Sequence, residues 1–448
     1  MGFLSKLFKL DGRSSISAMT AEHSAYNNWT KEQLIERLLQ LEKISGKGKN
    51  GKDSEGTEAS ETSVEVRKRS ADNVVDGDKK KGVKKTKKAK EFNFSKYNTR
   101  FVAFKFAYLG WNYNGLAIQK GETPLPTVEG TILETMNKCK LIPSMVPQDF
   151  KFSRCGRTDK GVSAMNQVIS LRVRSNLTPE QQLDPKYDEQ EIQYVNILNQ
   201  ILPEDIRLSA VCLRPPKNFD ARFSCKNRHY KYLFSSKGLD LDKMQLAAKD
   251  YEGEHDFRNF CKLDGSKQIT NYKRTMKSAN IMHLSEDIYC FDLVGSAFLW
   301  HQVRCMMASL FLVGQGLEDV TLIKEMMDVK KMPRKPIYEM ASDIPLILYD
   351  CEFDPMEWIP PNLASDRASR SSSVVNSVEL GYRIKSSVSR IFKDALPKAD
   401  VKGKPVVNLG DGMGKVTNVY QKMSQRLLMD SFETVNAKYR ERKARNSK

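Results

Sequence analysis

In the run SRCGRTDKGVSA, Ser153 to Ala164, two arginines and a lysine crowd one aspartate, with Gly156 and Gly161 on either side of it. Such an acid does one of two jobs. It fixes a turn through local hydrogen bonds, or it is an ionised nucleophile whose charge is favoured by Arg157 beside it and Lys160 next along. A second charged residue stands out because of its setting. Arg304 lies in LWHQVRCMMASLFLVGQG, which reads as a helix apolar on most sides, where an unpaired cation is costly. A carboxylate partner is therefore expected for it, or a purely structural ion pair. His301, one turn earlier, reads as a packed, hydrogen-bonded histidine. Tyr230, in RHYKYLF, reads by itself as a core residue with a satisfied hydroxyl. Eight cysteines, at 139, 155, 212, 225, 261, 290, 305 and 351, form no CxxC pair. Their spacing predicts free thiols and no metal site.

The elements that position these residues follow from apolar periodicity. RFVAFKFAY places Phe104, Phe106 and Tyr108 on one face of a strand, and LGWNYNG follows with turn chemistry. Thr127 then caps a helix with Val128, Ile132, Met136 and Cys139 along one side. After the aspartate run, QVISLRVR alternates as a half-buried strand with Arg172 and Arg174 on its wet face. A helix at Tyr194 to Leu202 stops at Pro203, and DIRLSAVCLR alternates as another strand. A second round begins near Asn218: the strand RHYKYLF, the helix DKMQLAAKDYEG, two strands, and the helix of Arg304 ending at Gly314. A helix around Thr321 to Met327 and the closing strand IPLILYDCEF complete it. The pattern predicts an α+β fold of two similar halves whose sheets join.

Composition bounds the rest. With 448 residues and a formal charge of +18, the chain has room for more than one domain and calls for a polyanion, nucleic acid before a membrane surface. No apolar run is long enough to span a bilayer. Residues 29 to 43 read as one short amphipathic helix, and residues 44 to 90 as a disordered linker closing on KKKGVKKTKKAK, eight lysines in twelve residues. That block reads as a nuclear import signal or an RNA-binding arm, which points to the nucleus as well as the cytoplasm; a mitochondrial presequence is the minor reading. The segments expected are 1–98 (short helix and disordered lysine-rich region), 99–216 (first half, with the aspartate loop), 217–359 (second half) and 360–448, in which SDRASRSSS is a flexible linker before a basic C-terminal extension.

Arg157 to Gly161, RTDKG, resembles the RTDxG signature of TruA-type pseudouridine synthases. FDARFSCKNRHYKYLF (Phe219 to Phe234), LNQILPEDI (Leu198 to Ile206) and AFLWHQVRCMM (Ala297 to Met307) resemble further blocks of that family. Leu116, where the bacterial pattern has tryptophan, and Ser163, where it has histidine, resemble the eukaryotic branch that modifies uridines 38 and 39 of the tRNA anticodon stem-loop. The resemblance implies two ferredoxin-like halves joined in a continuous mixed, mainly antiparallel sheet with flanking helices, a homodimer, tRNA as partner and no cofactor.

It also implies roles. Asp159 would be the nucleophile, attacking either the ribose or the uracil ring of a base flipped out of its stack. Arg157 would fill the vacated place or hold a phosphate, Tyr230 would stack on the uracil and handle the proton lost from C5, and Arg304 would pair with Asp159. Leu346 would wall the uracil pocket. Arg154, Lys160, Arg172 and Arg174 would grip the RNA backbone around the cleft. The competing readings are a non-catalytic tRNA-binding or tRNA-folding protein, and a base-releasing glycosidase.

Overall fold

The computed structural model describes residues 92–446 apart from 120, 363, 365 and 398–402. The expected helix at 29–43, the linker and the lysine block lie outside the described residues. The first half runs β1 (Asn98–Tyr108), α1 (Val128–Lys138), β2 (Ser153–Arg154), β3 (Ser163–Ser175), α2 (Tyr194–Ile201) and β4 (Ile206–Cys212). The second runs β5 (Asn227–Ser235), α3 (Leu241–Lys249), β6 (Gly253–Asp256), β7 (Lys273–Ser285), β8 (Ile288–Gly295), α4 (Gln302–Gly314), α5 (Leu322–Met327) and β9 (Leu346–Glu352).

Local chemistry accounts for these boundaries. Thr127 Oγ1 accepts a hydrogen bond from Gly130 N at 3.2 Å and opens α1, whose Val128, Ile132 and Met136 are buried. In α4 nearly every side chain is buried because the helix lies on the sheet under Tyr232 and Phe234, which meet Phe311 at 6.1 and 5.8 Å. Burying a phenylalanine of this kind contributes about 1.5–3 kcal/mol.

The strands form one sheet in the order β4-β1-β3-β9-β5-β8-β7-β6, with β2 also on β3. Taking β1, β2, β3, β4 as one set and β5, β7, β8, β9 as the other, each set has its fourth strand beside its first and its second beside its third. Both are therefore ferredoxin-like βαββαβ units, with β6 added at the edge of the second. The ladders are antiparallel except where Ser163 and Ala164 of β3 pair in parallel with Ile347 and Leu348 of β9. That pair is the seam between the halves. It exists because β2 is cut to two residues, pairing only at Ser170 and Ile169, which leaves the N-terminal edge of β3 open to β9.

Two expectations need correction. Gln167 to Leu171 of β3 are buried on both faces, not one, because the strand is central in the sheet; Ser170 Oγ accepts from Ala221 N at 3.3 Å. SDRASRSSS is not a linker either, since its residues from Asp366 begin α6 (Asp366–Ala395). Beyond it, β10 (Val406–Val407), β11 (Lys415–Val416) and α7 (Phe432–Asn446) pack on the second half. Met423 is fully buried there, and Leu409 O accepts from Ser342 N at 2.7 Å. Among the described residues, no helix is long and apolar enough to cross a membrane.

The turn after β1 packs on the aspartate loop through glycines. Gly115 has φ +87°, and a Cβ there would stand 2.8 Å from Thr158 O. Gly238, at φ +73°, has nothing within 4 Å of such a Cβ. Left-handed strain alone costs a residue with a Cβ about 1–2 kcal/mol, so in urea unfolding Gly115→Ala should lose clearly more stability than Gly238→Ala. Equal losses would mean that the close approach is not constraining.

Candidate active site

Asp159 sits on the loop between β2 and β3, just before the seam. The loop is held by groups other than the carboxylate. Thr158 Oγ1 and Tyr108 OH are hydrogen-bonded at 2.6 Å, Thr158 O accepts from Leu116 N at 3.1 Å, and Val162 N donates to Asp159 O at 3.2 Å. Gly110 N donates to Ser163 Oγ at 3.0 Å. The Asp159 side chain is one-third exposed, and its oxygens face the start of α4: Trp300 Nε1 donates to Oδ1 at 3.1 Å, and His301 Nε2 lies 3.3 Å from Oδ2. The turn reading of Asp159 therefore has little support, because backbone and hydroxyl groups already hold the turn.

Burial pushes the Asp159 carboxyl above its ordinary value of 3.8, with Asp343 adding to the rise; the Trp300 hydrogen bond, Arg304 and Lys262 act in the other direction. His301 is held down to about 4, first by burial and then by Arg304, Lys262 and Lys335. At neutral pH it is uncharged, so its 3.3 Å contact with Asp159 is not an ion pair. Its Nδ1 is buried without a partner. His301 reaches this position by adopting φ 62° as the residue capping α4, a region where histidine is enriched among non-glycine residues.

Several expected residues converge here. Tyr230 on β5 is buried, its ring 4.8 Å from that of Phe298, and it is close enough to Asp159 to feel its charge. Desolvation raises its hydroxyl far above the ordinary phenol value, so it stands as a neutral donor. Arg157 and Lys160 are exposed on either side of Asp159. Leu346 is buried at the start of β9, opposite Tyr232.

Others are placed differently. Arg304 influences Asp159 electrostatically but forms no ion pair with it in the described structure; its Nε donates to Ala341 O at 2.7 Å, because α4 presents Trp300 and His301 to the carboxylate first. Arg154 is tied to the buried Glu129, with Nε 2.6 Å from Oε2, and Glu129 is raised to about 7 by burial. That arginine answers a buried acid. Along β3 a rise of about 3.3 Å per residue puts Arg172 roughly 30 Å beyond Ser163, at the far end of the strand from Asp159. Arg174 is engaged there by Lys140 O at 2.8 Å and by the rings of Phe92 and Tyr97. Neither lines the cleft.

Sequence reasoning missed Trp300, Lys262 and Asp343. Lys262 Nζ stands 4.8 Å from the centre of the Trp300 ring, and the Asp343 carboxylate crowds Gly161, 3.0 Å from where a Cβ would be. Only Trp300 left a signal, a large aromatic at the mouth of an apolar helix. Arg228 also went unassigned: it donates to Cys155 O at 3.0 Å and to Ser296 O at 3.0 Å, fastening the aspartate loop to the second half.

Residues 247–354 match the family model described as tRNA pseudouridine synthase. The tRNA pseudouridine(38/39) synthase of Saccharomyces cerevisiae is 58% identical over 432 residues, covering 96% of this chain and 95% of that one. The chain belongs to the TruA-type tRNA pseudouridine synthase family. The human tRNA pseudouridine(38/39) synthase is 43% identical over 296 residues, 62% of this chain and 60% of that protein, which puts the chain in the eukaryotic branch. The tRNA pseudouridine synthase A of Methanosarcina mazei is 31% identical and covers 61% of this chain and 92% of its own. Pseudouridine synthases are isomerases, and this family member is an enzyme of that class, with the family's α+β fold.

Trp300 is the direct lever on the acid. Trp300→Phe removes a hydrogen bond that favours the ionised form, so the Asp159 carboxyl, followed by carbon NMR titration, should shift to a still higher pKa. A downward shift would show that Trp300 stabilises the neutral acid.

Proposed function

We propose that the enzyme converts uridines 38 and 39 of the tRNA anticodon stem-loop to pseudouridine with Asp159 as nucleophile, acting on a flipped base. The observation that carries this reading is the aim of Asp159: its carboxylate is free of the turn, part-desolvated and flanked by two exposed cations. Isomerisation breaks the bond from the ribose to uracil N1 and makes one to C5, and the proton lost at C5 is matched by one taken up at N1, so the step is redox-neutral and uses no water. An attacking carboxylate that returns as leaving group fits this balance.

A base paired in a stem cannot reach Asp159 without leaving the stack. Arg157, exposed two residues away, fills the gap or binds the adjoining phosphate through its planar fork. Tyr230 stacks on the uracil. Its high pKa makes it a donor in the resting enzyme, so proton handling by Tyr230 must be concerted with transfer to another group. Arg304 compensates Asp159 at a distance, and Leu346 supports the wall beneath the base. Homodimerisation is supported by an apolar stripe on α6, where Leu380, Ile384, Val388, Ile391 and Phe392 are exposed.

In pseudouridine mapping of anticodon stem-loop RNA, Asp159→Ala should give no product at either position; wild-type product from this variant would overturn the assignment. Stability should move the other way with Asp159→Asn. A carboxyl whose pKa is raised in the folded state opposes folding once ionised, so at pH 7 the amide should melt no lower than wild type. That relation should fade as pH falls below the ordinary value of 3.8. Arg157→Lys keeps the charge and loses the fork, and should reduce turnover at least tenfold with little change in melting. A melting loss as large as the activity loss would make Arg157 a structural residue.

A further inference from the structure

Three of the eight cysteines come together although their spacing shows no pattern. The sulfurs of Cys155, Cys225 and Cys351 all lie within 4.8 Å of one another. They arrive from three places: Cys155 from the aspartate loop, four residues before Asp159; Cys225 from the segment that leads into β5; and Cys351 from β9. Cys155 and Cys351 are buried, and Cys225 is half-buried and opens the cluster to solvent on one side. The Cys225 thiol donates to Asn227 O at 3.2 Å. Arg228, in register with Cys351 across the β5–β9 ladder, is close enough to feel all three sulfurs.

We propose that Cys155, Cys225 and Cys351 form a binding site for a zinc-type divalent cation, with a water as fourth ligand on the side that Cys225 leaves open. A zinc–sulfur bond of about 2.3 Å in a tetrahedral shell sets neighbouring sulfurs roughly 3.8 Å apart. The cluster therefore needs to contract by no more than about 1 Å. Charge argues for a divalent ion over a monovalent one. Three thiolates and a divalent cation leave one net negative charge, which the neighbouring Arg228 guanidinium balances in a partly buried place, whereas a monovalent soft ion would leave excess negative charge there. Because the ligands come from both halves of the fold, the bound ion would clamp the segment before Asp159 to β5 and β9.

The test uses the full chain, purified anaerobically under a phosphine reductant without chelators. Elemental analysis should find about one zinc per chain. Apo protein titrated with Co(II) should take up one equivalent at micromolar concentration and show a thiolate-to-cobalt charge-transfer band. Cys225→Ser and Cys351→Ala should each weaken that binding at least tenfold, while Cys212→Ser and Cys290→Ser, outside the cluster, leave it unchanged. Bound zinc should protect three thiols from a disulfide reagent and raise the melting temperature. The proposal is overturned if the reduced wild type takes up neither ion at micromolar concentration, if uptake gives no charge-transfer band, or if cluster variants bind as the controls do. A disulfide among the three in metal-free protein isolated this way would also overturn it. Should a cluster variant fail to fold, the charge-transfer band and thiol protection of the wild type decide the matter.

Discussion

The parallel contact of Ser163 and Ala164 with Ile347 and Leu348 is the join on which the rest of the arrangement rests. Two ferredoxin-like units with complete edges could share a sheet in many registers. Here the second strand of the first unit is only two residues long, and the exposed edge of β3 accepts the last strand of the second unit at one place. That place is four residues beyond Asp159. The seam therefore brings the aspartate loop of one half to β5 and the α4 mouth of the other, and Arg228 strengthens the join through the carbonyls of Cys155 and Ser296.

Around Asp159 the seam sets burial against compensation. Desolvation is the largest influence and favours the neutral acid; a tryptophan hydrogen bond and two nearby cations favour the anion, and Asp343 pulls against them. The cations are not in contact with the carboxylate. A direct guanidinium pair would hold the anion more firmly than the indole hydrogen bond and the neutral histidine beside it do. The polar groups that orient Asp159 come from the αL start of α4, so the backbone strain at His301 serves the site.

Much of this was legible in the chain. Alternation and caps marked β1, α1, β3, β5 and α4, because each has a strong apolar period and punctuation at its ends. The RTDKG run singled out Asp159, since charge crowding and bounding glycines are local features. The errors arose where local pattern met three-dimensional context. SDRASRSSS looked like linker because small polar residues have weak preferences, yet they begin a long helix. Arg154, Arg172 and Arg174 looked alike as strand arginines, but one answers Glu129, a buried acid twenty-five residues earlier, and two sit at the far end of a long strand.

The sequence by itself determined the main strands and helices of the two rounds and singled out Asp159 as the candidate acid, all from neighbours within a few turns. Only the tertiary structure decided what that acid touches and which cysteines meet. Trp300 reaches Asp159 across 141 positions, and Cys155, Cys225 and Cys351 gather from three segments of two halves. No periodicity links residues that far apart; their meeting depends on strand register at a single seam, and register is a property of the folded sheet.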